Sequence, residues 1–117
     1  MKKRILLPVL TFSLLLATPL SAYAEGWAKS GSDWTYLDRN NNKITNEWRK
    51  GADDKWRYLN DAGVMATNSW VDDDKYYVDD QGLIVEGWRK LKDRGEDYWA
   101  YFQAGGKAVK GNWKSIN

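Results

Sequence analysis

The chain has 117 residues without cysteine or histidine, and its 18 basic residues nearly balance 16 acidic ones. Those two absences remove Ser-His-Asp and Cys-His nucleophilic chemistry, together with the usual zinc and copper ligands. Lysines and arginines alternate with aspartates and glutamates and form no basic stripe that would follow phosphates, so nucleic acid is an unsuitable partner.

The N-terminus opens with a basic "MKKR", continues with an apolar "ILLPVLTFSLLLATPL" and closes on "SAYA", where Ala22 and Ala24 form an Ala-x-Ala site. This order predicts a signal peptide over residues 1–24, cleaved before Glu25, and therefore a secreted protein at the cell surface. The apolar run is interrupted by Pro8 and Pro19 and falls short of the roughly 20 residues a spanning helix needs. No transmembrane segment is expected after cleavage. Removing Lys2, Lys3 and Arg4 leaves 15 basic against 16 acidic residues. In residues 25–117 eight Trp, six Tyr and one Phe outnumber the thirteen Leu, Ile, Val and Met, the reverse of an ordinary globular core.

From Glu25 onward the rings recur in order. Trp27, Trp48, Trp70, Trp88 and Trp113 each begin a charged or small run such as "WAKSGSD" or "WRKGADDK". An aromatic strand follows each of the first four: "WTYL", "WRYL", "KYYV" and "WAYF". Then comes a polar turn, "DRNNN", "NDAG", "DDQG" or "QAGG", and a short apolar segment. Alternation with a period of two predicts β-structure, with Trp34 and Tyr36 on one face and Thr35 and Leu37 on the other. The turn residues predict that each aromatic strand pairs with the segment after it, "KIT", "VMAT", "LIVE" or "KAVK", as a hairpin. A lone hairpin is marginal in water. The expected fold is therefore all-β over residues 25–117, a β-hairpin solenoid of about four stacked repeats. Its uncovered end faces would favour homodimers or end-to-end association.

This order of residues resembles the choline-binding, or cell-wall-binding, repeats of Gram-positive surface proteins, which are akin to glucan-binding and clostridial toxin repeats. The fullest unit is "WRKGADDKWRYLNDAGVMATNSW", in which Trp48, Trp56, Tyr58, Leu59, Gly63, Met65 and Thr67 fall on the pattern. The resemblance implies aromatic boxes between consecutive hairpins that enclose a quaternary ammonium. One implied box is Trp34, Trp48 and Tyr58; a second is Trp56, Trp70 and Tyr77, with Met65 beside it. It further implies a wall-polymer partner, choline-substituted teichoic acid or glucan. Lys75 stands where the third repeat would have its hairpin Trp, and only Trp27 and Trp88 keep the preceding glycine.

Two other patterns invite a chemical role and are better read as turns. Asp72, Asp73, Asp74, Asp79 and Asp80 cluster around "KYYV", where a solvated turn is the simpler account than paired glycosidase carboxylates. Asp38, Asn40 and Asn42 match the start of an EF-hand loop, but Lys43 stands where glycine and Arg49 where glutamate should be. The reading is thus a non-catalytic secreted binding module without cofactor or metal. The alternative is a structural spacer or self-assembling protein.

Overall fold

The structure, a computed structural model, describes residues 25–109 and the short strand Lys114–Ser115. The expected signal peptide and Trp113 lie outside the described residues. Every regular element described is a strand, and the all-β expectation holds. The strands are β1 (Gly26–Ser30), β2 (Asp33–Leu37), β3 (Glu47–Lys50), β4 (Trp56–Leu59), β5 (Ser69–Val71), β6 (Tyr76–Val78), β7 (Gly87–Asp93), β8 (Glu96–Phe102) and β9 (Lys114–Ser115). They pair antiparallel as β1–β2, β3–β4, β5–β6 and β7–β8, called hairpins 1 to 4, with β9 added along β8.

The hairpins differ from the sequence expectation in one respect. Each aromatic strand pairs with the Trp-led run before it, and the charged stretch between them is the hairpin turn. The apolar segment after the aromatic strand makes a single bridge: Leu37 to Lys43, Leu59 to Met65, Val78 to Ile84 and Phe102 to Ala108. The physical reason lies in the polar turns. The Asp38 carboxylate accepts the N–H groups of Asn40 and Asn42, Asn60 does the same for Ala62 and Val64, and Asp79 for Gln81 and Leu83. Such side-chain-capped turns tighten the chain into a short loop, so it leaves its partner after one bridge.

Gly63, Gly82 and Gly106 each take a left-handed conformation four residues beyond the last buried strand residue, and Asn41 supplies it in the first loop. At Gly106 a side chain would also run into Ile84, and at Gly63 into Lys43. Glycine therefore meets two demands there: positive φ and close stacking of one loop on the loop before it. The Asp72–Asp74 turn is also left-handed, with φ of 58°, 59° and 58°, a conformation that Asp tolerates better than most residues. That cluster is a turn.

The chain forms two compact units, the first ending at Ala66 and the second starting at Thr67. In the first unit, hairpin 2 docks on hairpin 1 by backbone and side chain. The Met65 N–H donates to the Trp34 carbonyl (2.8 Å), and the Trp27 indole N–H to the Lys50 carbonyl (2.7 Å). In the second unit, hairpin 4 docks on hairpin 3 in the same frame, with the Ala108 N–H on the Lys75 carbonyl (2.8 Å). Lys75 thus keeps the backbone place of the missing Trp. Alternation along the strands buries Thr35, Arg57, Leu59, Val78, Ala100 and Phe102, and leaves most of the rings on the more open faces. The best-packed cluster is in the second unit: Val85, Ala100, Phe102 and Ala108, with Trp70, Tyr77, Leu91 and Tyr98 against it.

Candidate ligand-binding site

Register creates the same ring pair in all four hairpins. Trp27 lies opposite Tyr36, Trp48 opposite Tyr58, Trp70 opposite Tyr77 and Trp88 opposite Tyr101. Ring centroids are 5.4, 5.0, 5.7 and 5.1 Å apart, with planes inclined at 89°, 67°, 83° and 59°. The first three are edge-to-face and the fourth is tilted, and each pair fixes two rings on a short strand pair.

Of the first expected box, Trp48 and Tyr58 are brought together as one of these pairs. Tyr58 is buried and Trp48 half-buried. Trp34 sits on β2 of the neighbouring hairpin, joined to hairpin 2 through its carbonyl bond from Met65. Met65, expected beside the second box, therefore has its backbone against Trp34 of the first. Of the second box, Trp56 and Met65 belong to the first unit and Trp70 and Tyr77 to the second. Trp56 is 46% exposed on the face it shares with Tyr58. Trp70 and Tyr77 pair with each other and lean on Phe102 at 5.3 and 6.4 Å, while the Trp70 indole N–H donates to the Tyr98 hydroxyl (3.1 Å).

The rings already attract cations. The Lys29 ammonium stands 5.7 Å from the centre of Trp34, the Lys50 ammonium 5.3 Å from that of Trp56, and the Arg49 guanidinium 5.3 Å from that of Tyr36. Burial raises the Tyr36 phenol above its ordinary value, Glu25 pushes it further, and Arg49 pulls it back. Tyr77 is raised likewise by burial and then by Tyr98, with Arg89 opposing. Arg49 and Arg89 occupy matching positions, one residue after Trp48 and Trp88.

Sequence reasoning missed Lys29, Lys50 and Arg49 as ring partners, and it left Trp88, Trp99 and Tyr101 unassigned. Their signal was present. Each lysine follows its strand's Trp by two residues, which sets it opposite the next hairpin Trp once the correct strands are paired. Hairpin 4 is the most open: Trp88 is 62%, Trp99 42% and Tyr101 38% exposed on one face. Among the described residues no group of three or more acidic side chains could hold a metal ion.

These features define a class: short antiparallel hairpins that repeat a Trp–Tyr pair and present ring faces suited to a cation or a flat apolar ligand. Residues 42–83 match the model of the choline-binding repeat. Solved structures similar to the chain include choline binding protein F from Streptococcus pneumoniae, with 33% identity, a TM-score of 0.50, and coverage of 75% of this chain and 29% of that one. The modular Cpl-1 endolysin, solved with a peptidoglycan analogue, is 27% identical at a TM-score of 0.53, covering 80% of this chain and 29% of that one. The modular autolysin LytC from Streptococcus pneumoniae is 26% identical at a TM-score of 0.54, covering 78% and 20%. The chain thus spans less than a third of the length of each of these three neighbours. No curated protein sequence matches it.

Proposed function

We propose that the chain is a non-catalytic, secreted binding module that attaches to choline-bearing or carbohydrate polymers of a cell wall through the rings of its hairpins. The observation that carries this reading is the seating of ammonium groups on ring faces. Lys29 over Trp34 and Lys50 over Trp56 support it, since each puts a positively charged nitrogen against a ring at cation–π distance. A quaternary ammonium would find the same quadrupole, with Trp34, Trp48 and Tyr58 as the walls. Each ring contributes about 0.5–2 kcal/mol when desolvated, so one site binds in roughly the millimolar range. Repetition along the chain then converts weak sites into firm attachment to a polymer with repeated ligands. Binding of choline itself is supported by the repeat matched at residues 42–83.

Glycan stacking is the second reading, and hairpin 4 favours it. Trp88, Trp99 and Tyr101 present apolar ring faces to solvent beside Asp97, Lys90 and Lys92, which could bond sugar hydroxyls.

Titration of intrinsic Trp fluorescence tests both. Choline should give a saturable change at millimolar concentration, and Trp34→Ala should weaken it about 2- to 30-fold. A response to soluble glucan alone would select stacking on hairpin 4. No response to either ligand would defeat the binding module and leave a structural spacer.

A further inference from the structure

Register places a lysine opposite the hairpin Trp in three hairpins: Lys29 faces Trp34, Lys50 faces Trp56 and Lys90 faces Trp99. Their ammonium groups end in different places. Lys29 and Lys50 lie over the rings, and Asp54 steadies the second at 3.4 Å. Lys90 instead reaches Asp97 at 3.6 Å, on a carboxylate that also holds Lys92 at 2.7 Å. The difference follows from position. Both aspartates stand two residues before their hairpin Trp, but Asp97 lies in the ladder opposite Lys92, whereas Asp54 lies in the hairpin turn with a left-handed φ of 67°.

From this we infer that Lys29 and Lys50 are built-in competitors of the ligand, and set how tightly the first unit holds a quaternary ammonium. The inference rests on the proposed choline site and adds its specificity determinants. A tethered ammonium over a ring satisfies the same negative π-face that an incoming cation would use, so the ligand must displace it. Displacement costs what the lysine gained. It leaves the lysine free in solvent, since both are exposed residues on flexible stems. An uncharged ligand such as a sugar gains nothing electrostatic from the face and would be kept out by the occupant. The first unit is thereby biased toward ligands that carry a stronger or better-fitted cation than lysine.

The test uses proton NMR of the secreted protein together with choline titrations followed by Trp fluorescence. In the free protein the side-chain Hε resonances of Lys29 and Lys50 should be shifted upfield by the ring currents of Trp34 and Trp56. As choline saturates, they should return to ordinary lysine values. Lys29→Gln and Lys50→Gln, which keep the aliphatic stem and remove the charge, should each tighten choline binding about two- to fivefold. Lys29→Arg should weaken it, because guanidinium stacks better on an indole. Resonances that stay shifted while fluorescence saturates would overturn the competition and leave choline binding intact, as would unchanged affinity in both Gln variants. If neither the parent nor the Gln variants saturate with choline, the competition and the choline site fail together. Saturation in the Gln variants alone would support it in its strongest form.

Discussion

The two units solve the same docking problem with different chemistry. In each, the ring pair of the first hairpin rests on the inner face of the second: Trp27 and Tyr36 on hairpin 2, Trp70 and Tyr77 on hairpin 4. In the first unit that face is charged. Arg49 stacks on Tyr36, and the buried Arg57 is tied to Asp53 at 2.7 Å. In the second unit Ala100 stands in the position of Arg57 and Phe102 in that of Leu59, and the face is apolar apart from Arg89 and the Tyr98 hydroxyl. Backbone register makes the frame, and side chains on one strand decide whether the interface is held by charge or by packing. A repeat can thus drift in sequence at its interfaces while its hairpins stay in place.

The contrast is most exposed to a change at Phe102, whose ring is fully buried between Trp70, Tyr77 and the loop residues Val85 and Ala108. Phe102→Ala should cost about 3–5 kcal/mol through lost burial and an unfilled cavity. The midpoint of urea unfolding and hydrogen-exchange protection along β8 would both fall. A loss below about 1 kcal/mol would mean the second interface is no better packed than the first.

Gly106→Ala comes next. Its left-handed φ of 99° and the approach of Ile84 leave no room for a methyl group, so a cost of about 1–3 kcal/mol is expected in thermal unfolding. Ile84→Ala in the same background should recover part of it by making space, while the backbone strain remains.

Charge sets the third difference. The hydrogen bond from Arg57 holds the Asp53 carboxyl below its ordinary value, with a backbone N–H from Lys55 assisting. Because the folded-state pKa is depressed, this stability is fully present above the unfolded value of about 4 and is lost as pH falls through the lower folded value. Asp53 is partly open to solvent, so the screened contribution is about 0.5–1 kcal/mol. Asp53→Asn should flatten the acid limb of the first unit's stability, followed by amide exchange of Arg57 and Leu59 between pH 5 and 2. Ala100 leaves no corresponding group at that place in the second unit.

Arg49→Gln should have the smallest effect, about 0.5 kcal/mol, through loss of its stacking on Tyr36. It carries a second readout that packing alone would not move. Arg49 lowers the Tyr36 phenol against burial and Glu25, so its removal should raise that pKa further in an alkaline ultraviolet titration.

Much of this protein is legible in its sequence because the information is local. A period of two in "WTYL" or "WAYF" reports strand conformation directly, since side chains alternate whatever the strand packs against. Asp38, Asn60 and Asp79 announce capped turns, because an Asx side chain bonds its own following backbone. The recurrence of Trp at similar intervals identifies a repeat and, through its resemblance, the choline-binding repeat matched at residues 42–83. Pairing partners were not local. The polar turn after each aromatic strand looked like a hairpin turn, yet the longer ladder formed with the Trp-led run before it, across charged connections such as "GADDK". That choice depends on left-handed residues at Asp54, Gly31 and Gly95 closing those connections, and on the trailing segment bonding back to the preceding hairpin through Met65 and Ala108. Tertiary structure also decided what the rings touch. Lys29 and Lys50 lie over Trp34 and Trp56 only because the register puts them opposite, and Trp70 and Tyr77 lean on Phe102 only because hairpin 4 docks there. Sequence specifies which groups are available; the partner of each ring is set by a register and a docking face that exist only once separate segments have come together.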